Sequence, residues 1–214
     1  MNEGRTIFAQ LMDYLPLREF HRCVDRYQGD RRVRRFSCLD QFLSMAFAQL
    51  SYRESLRDTV LCLRSAGRKL YHLGIRGRIS RSTLAEANEQ RDWRIYADFA
   101  QVLIHKARQL YHDEDFGVEI EETIYALDST TIDLCLSVFP WALYKKSKGA
   151  IKLHLLLDHD GYLPSFAVIT EGNVSDIKVA HQFKFDPGTI VVDDRGYNDY
   201  GLFGRWTAQG VYFV

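Results

Sequence analysis

Residues 189–197 read Thr-Ile-Val-Val-Asp-Asp-Arg-Gly-Tyr. Four residues suited to a buried strand run into two carboxylates, a cation and a glycine, so a strand stops here at a charged turn. Successive strand side chains point to opposite faces, so Asp193 and Asp194 cannot serve the same site. Asp194 is the better candidate, because the Arg195-Gly196-Tyr197 turn opens space around it. Upstream, residues 123–127 (TIYAL) form a second β-rich run that leads into Asp128 in Ala-Leu-Asp-Ser-Thr-Thr131. Between the two lie residues 151–157 (IKLHLLL) and 162–170 (YLPSFAVIT), which flank Asp-His-Asp-Gly161 as an antiparallel hairpin. Residues 175–183 and 198–209 read as helices, Pro187-Gly188 and Gly210 as breakers, and residues 211–214 as the start of a strand. From residue 123 the order is β, β, β, α, β, α, β, an α/β arrangement around a mixed sheet with flanking helices.

The preceding half is written in a different period. Leu39, Phe42, Leu43, Ala46, Phe47 and Leu50 recur at helical spacing. Ser51-Tyr-Arg-Glu54 has the capping-box pattern and predicts the start of the next helix, Ser55 to about Ser65, with Gly67 as its stop. Ser80 or Thr83 then opens one long helix carrying Leu84, Trp93, Tyr96 and Phe99 as core through to Leu110. The expected organisation is an all-α domain over 1–112, for DNA binding or dimer contacts, a linker over 113–121 around Asp113-Glu-Asp115, and a catalytic domain over 122–214.

The two strand-end carboxylates carry the chemistry. Ligands of α/β folds collect at such strand tips. If the strands are neighbours, Asp128 and Asp194 converge, and converging carboxylates repel unless a proton or a cation lies between them. Mg²⁺, a hard oxygen-seeking ion, suits that position. Two such ions roughly 4 Å apart stabilise in-line displacement at phosphorus. From position alone, both aspartates read equally as turn or helix-cap residues.

The 214 residues are 46% hydrophobic and 26% charged, which is globular and excludes a disordered chain. No apolar run approaches the roughly 18 residues of a membrane span, and no signal-peptide core follows Met1, so no membrane partner and a cytoplasmic setting are expected. Four scattered cysteines (Cys23, Cys38, Cys62, Cys135) argue against a disulfide scaffold. The net charge of zero conceals a division. Residues 1–108 hold 18 Arg and 2 Lys against 12 acids, a net of +8, and residues 109–214 hold 2 Arg and 6 Lys against 16 acids, a net of −8. Arginine forks suit phosphate. The run Arg31-Arg32-Val33-Arg34-Arg35 and the cluster Lys145, Lys146, Lys148 and Lys152 are the candidate DNA contacts, although each also reads as a solvated face.

The segments 126–131 (ALDSTT), 148–154 (KGAIKLH), 171–176 (EGNVSD) and 192–197 (VDDRGY) resemble those of bacterial insertion-sequence transposases of the IS-four type. That resemblance implies a ribonuclease-H-like DDE catalytic domain using Mg²⁺ or Mn²⁺. It implies double-stranded DNA as partner, both element ends and target, with strand cleavage followed by strand transfer. The family's first and second catalytic aspartates fall on Asp128 and Asp194. Its third acid, a glutamate in a Tyr-Arg-Glu-Lys type motif after the fifth strand, has no counterpart before Val214. The expectation is therefore an incomplete, truncated catalytic domain with impaired strand transfer. Two alternatives stand beside it. One is a non-catalytic DNA-binding remnant that inhibits full-length transposase. The other is a related nuclease recruiting Asp158 or Asp176 as its last acid.

Overall fold

The computed structural model describes residues 6–75, 77–111, 122–134, 142–145, 148–159 and 163–214. The expected linker 113–121, Cys135 and Lys146 lie outside the described residues. The chain divides into two compact units, residues 1–103 and 104–214.

The first unit is helical, with α1 (Ile7–Met12), α2 (Leu17–Arg26), α3 (Cys38–Leu50), α4 (Leu56–Ser65), α5 (Arg81–Gln90) and α6 (Arg94–Tyr111), which runs on into the second unit. Its apolar stripes meet in two clusters. One centres on Leu43, Val60, Leu63, Ile75 and Leu84. The other centres on Phe20, Cys38, Ile95 and Phe99, where the Phe20 and Phe99 rings meet edge to face at 4.9 Å.

Helix boundaries depart from expectation in three places. Ser51 ends α3 instead of opening α4. Its hydroxyl donates to the Phe47 carbonyl, and Ser55 is the N-cap of α4, accepting from the Asp58 amide. A reciprocal capping box does occur, at Ser37 and Asp40. The single long helix is interrupted at 91–93. Arg91 turns extended, its guanidinium donates to the Ser37 and Phe36 carbonyls and to Gln41 Oε1, and the Asp92 carboxylate accepts the Arg94 amide. These polar bonds outweigh the helix bonds forgone at the break. Trp93 falls in that break and is 71% exposed, so it is not the core residue its spacing suggested.

The second unit is an α/β fold around a mixed sheet of β1 (Ile124–Leu134), β2 (Leu143–Lys145), β3 (Lys148–Asp158), β4 (Leu163–Glu171), β5 (Ile190–Val192) and β6 (Tyr212–Phe213). β3 lies antiparallel to β1 on one side and to β4 on the other, with β2 beside its first residues. β1 also pairs parallel with β5, and β5 parallel with β6. Reading across, β4, β3, β1, β5 and β6 give the ribonuclease-H-like order. The helices α7 (Asp176–Ala180) and α8 (Tyr200–Ala208) cover one face. There Leu127, Leu156 and Val191 pack against Ala180, Leu202 and the fully buried Trp206. Among the described residues, no helix is long and apolar enough to cross a membrane.

Candidate metal and phosphate site

Strand register puts the two aspartates at equivalent positions on neighbouring strands. β1 pairs with β5 through Ile124–Ile190, Tyr125–Val191 and Ala126–Val192, and there the parallel ladder ends. Two residues further along each chain stand Asp128 and Asp194, at the point where β5 turns away and the sheet opens. β1 itself does not end there. It continues beside β3 as far as Leu134, so Asp128 is a mid-strand residue at the edge of a gap rather than one lying past a strand end.

Each aspartate spends one oxygen on a local backbone amide. Asp128 Oδ1 accepts from the Ser129 amide at 2.7 Å. Asp194, the N-cap of the 3-10 turn Arg195–Tyr197, accepts from the Gly196 amide at 2.8 Å. Both residues are exposed, and among the described residues neither carboxylate has a cationic partner. Hard oxygens held by backbone amides, with lone pairs left free, fit a divalent cation. Among the described residues, however, no group of three His, Cys, Asp or Glu side chains could hold a metal ion.

Asp193 behaves as strand alternation requires. Its Oδ2 is buried without a hydrogen-bond partner, and burial, followed by the neighbouring Asp194 charge, pushes its carboxyl up to about 6. A carboxyl raised above its unfolded value of 3.8 supports the fold while protonated and loses that contribution as pH rises through about 6. In the metal-free chain, Asp193→Asn is therefore expected to remain more stable than wild type above pH 6, with the difference closing towards pH 4. Urea midpoints at pH 4.5 and pH 8, compared between the two proteins, check this.

Beneath the pair sits a group that sequence reasoning undervalued. Tyr197 is 1% exposed, and its hydroxyl has no partner in hydrogen-bond geometry. Burial first, then Asp176, with further contributions from Asp128 and Asp194, hold this phenol in its neutral form against a smaller opposing pull from the Ser129 side chain. One hydroxyl thus feels all three carboxylates. Asp176, at the start of α7, takes both oxygens to Lys152 Nζ at 3.1 Å, and one of them lies 3.5 Å from His154 Nδ1. His154 is fully buried, and its Nε2 meets the Thr170 hydroxyl at 2.9 Å. Burial lowers the imidazole's proton affinity. The signals for this group in the sequence were the KGAIKLH, EGNVSD and VDDRGY segments, none of which shows that the residues meet.

The basic candidates separate. The Lys152 ammonium is committed to Asp176 and is only 14% exposed, so it is an internal partner rather than a free phosphate contact. Lys148 is exposed on β3, and Lys145 lies in β2. Asp158 is held by Arg108 at 3.2 Å, opposite Tyr125 and away from the gap at Asp128. In the helical unit, Arg31, Arg32, Arg34 and Arg35 line a groove of about 790 Å³ together with Arg91 and Thr83 of the first turn of α5. Arg31 donates to the Gln28 side chain. Among the described residues, none of these four arginines pairs with a carboxylate.

Comparison with known proteins bears on both units. Residues 119–214 match a family described as transposase DDE domain, and residues 3–76 match a domain of unknown function, DUF4372. Over 128 residues the chain is 33% identical to "Putative transposase y4zB" of Sinorhizobium fredii (strain NBRC 101917 / NGR234), covering 58% of this chain and 33% of that protein. Over 98 residues it is 28% identical to "Probable transposase for insertion sequence element IS5377" of Geobacillus stearothermophilus, covering 46% of this chain and 26% of that protein. The chain spans about a third or less of the length of these relatives.

Proposed function

We propose that this chain is part of an insertion-sequence transposase, as its match to a transposase DDE domain over residues 119–214 and its similarity to two transposases suggest, and that Asp128 and Asp194 hold a divalent cation, Mg²⁺ or Mn²⁺, against a DNA phosphodiester. The reading is supported by one observation, that two exposed aspartates each follow the last β1–β5 pair by two residues. A bound cation there supplies Lewis acidity at a phosphoryl oxygen. The chain's own residues do the rest. The Ser129 and Gly196 amides fix the two carboxylates, and Tyr197 stays a neutral phenol beside them. Calorimetry of the wild-type chain with Mn²⁺ is expected to show binding, and no heat at millimolar Mn²⁺ would overturn the reading.

The arginine groove is the proposed duplex contact. Arginines without carboxylate partners are free to displace condensed counterions from a phosphate backbone. Replacing Arg34 and Arg35 together by Ala is expected to weaken duplex binding across unrelated sequences. The slope of log affinity against log salt should fall by about 2, roughly one for each phosphate no longer neutralised. Filter binding over a salt series measures both effects.

A second reading, DNA binding without cutting, draws support from the arginine groove of the helical unit. Mn²⁺-dependent nicking of a supercoiled plasmid bearing element ends, lost in Asp128→Ala, would favour the first reading. Salt-sensitive binding with no nicking would favour the second, in which the chain occupies ends and blocks the full enzyme.

A further inference from the structure

We infer that Asp176 is a positioning residue for the Asp128–Asp194 pair, and that it works by holding the Lys152 ammonium away from Asp194. The inference rests on the reading of that pair as a divalent-cation site.

Lys152 and His154 are two residues apart on β3 and so share one sheet face. Asp176 meets both from the first residue of α7. The side chains are 14%, 0% and 19% exposed for Lys152, His154 and Asp176, so the lysine charge has little water to solvate it. An ammonium in that position needs a carboxylate. Asp176 supplies both oxygens at equal distance.

The next carboxylate is close by. A Cβ built on Gly196 would stand 2.9 Å from Asp194 Oδ1 and 3.8 Å from Asp176 Oδ2. The two carboxylate oxygens are therefore no farther apart than those distances laid end to end, within the swing of a four-carbon lysine stem. Tyr197, the last residue of the same turn, feels Asp176, Asp128 and Asp194 together. Without the Asp176 charge, the Lys152 ammonium would be drawn to Asp194 and would occupy the place of a cation. Asp176 is thus not a third ligand, consistent with the absence of a three-ligand group among the described residues. It preserves the negative charge of the two that are.

The test is Mn²⁺ affinity by calorimetry on the folded chain. Asp176→Asn is expected to raise the Mn²⁺ Kd about tenfold, in the range found when a partner just outside a metal's ligands is removed. Lys152→Met should bind at least as tightly as wild type, and the double variant Lys152→Met/Asp176→Asn should return towards the wild-type Kd. A merely structural role would lower the melting temperature of Asp176→Asn without rescue by the second substitution. A wild-type Kd in Asp176→Asn, or a double variant as weak as the single, overturns the inference. If Asp176→Asn does not fold, weakened binding in Lys152→Met alone overturns it. Absence of Mn²⁺ binding by the wild-type chain instead removes the cation-site reading on which the inference stands.

Discussion

Asp128→Asn is expected to weaken Mn²⁺ binding by about a hundredfold or more. Removing an outer partner alone costs about ten- to a hundredfold, and Asp128 is one of the two carboxylates proposed to hold the cation directly. The substitution is nearly isosteric, and the residue is exposed, so the fold has little reason to change. Asp194→Asn should do the same. Its carboxylate also caps the Arg195–Tyr197 turn through the Gly196 amide, a bond that an asparagine side-chain oxygen can keep. The paired variant should be scarcely worse than either alone, because one remaining carboxylate holds a hard cation weakly. Calorimetry on the three variants, with circular dichroism to confirm folding, decides the matter. Unaltered Mn²⁺ binding in both single variants would place the cation elsewhere.

Trp206→Ala should have the largest effect on stability. The indole is fully buried against Phe185, with ring centroids 5.7 Å apart, and near Phe203 and Phe213. It ties α8 to the sheet residues Leu127 and Val191. Truncating a buried tryptophan costs about 3–5 kcal/mol, a large part of what a small domain has. The indole nitrogen has no hydrogen-bond partner, so no polar bond is forfeited and the cost is one of packing. Urea unfolding followed by circular dichroism should show the second unit melting early while the helical unit, with its own Phe20 and Phe99 core, persists. A midpoint shifted by less than about 1 M urea, at the slopes usual for small domains, would mean the cavity collapses around the deletion.

Much of the second unit is legible in its residues. The runs TIYAL and TIVV read as strands, and each leads to a carboxylate, so the equivalent positions of Asp128 and Asp194 follow once the two strands pair in parallel. Alternation alone separates Asp193 from Asp194, and the buried Asp193 oxygen agrees with it. What the sequence conceals is long-range partnership. Lys152 looks like one of four surface lysines, and nothing local reveals that a carboxylate 24 positions later takes its charge. Tyr197 reads as a turn residue, and its burial depends on α7 and α8 closing over it. In the helical half the apolar period runs unbroken through 91–93. The break is set by Arg91 reaching carbonyls more than fifty residues away, an interaction no window of sequence contains.

The ladders around β1 are unequal. Ten positions of it are zipped to β3, but only three to β5. Of the two seams along β1 the one to β5 is the shorter, and it ends two residues before each aspartate, so thermal opening there would part the aspartates before it disturbed the long hairpin. An ion gripped from both banks would act as a clasp across that seam, making occupancy and closure of the sheet one and the same event.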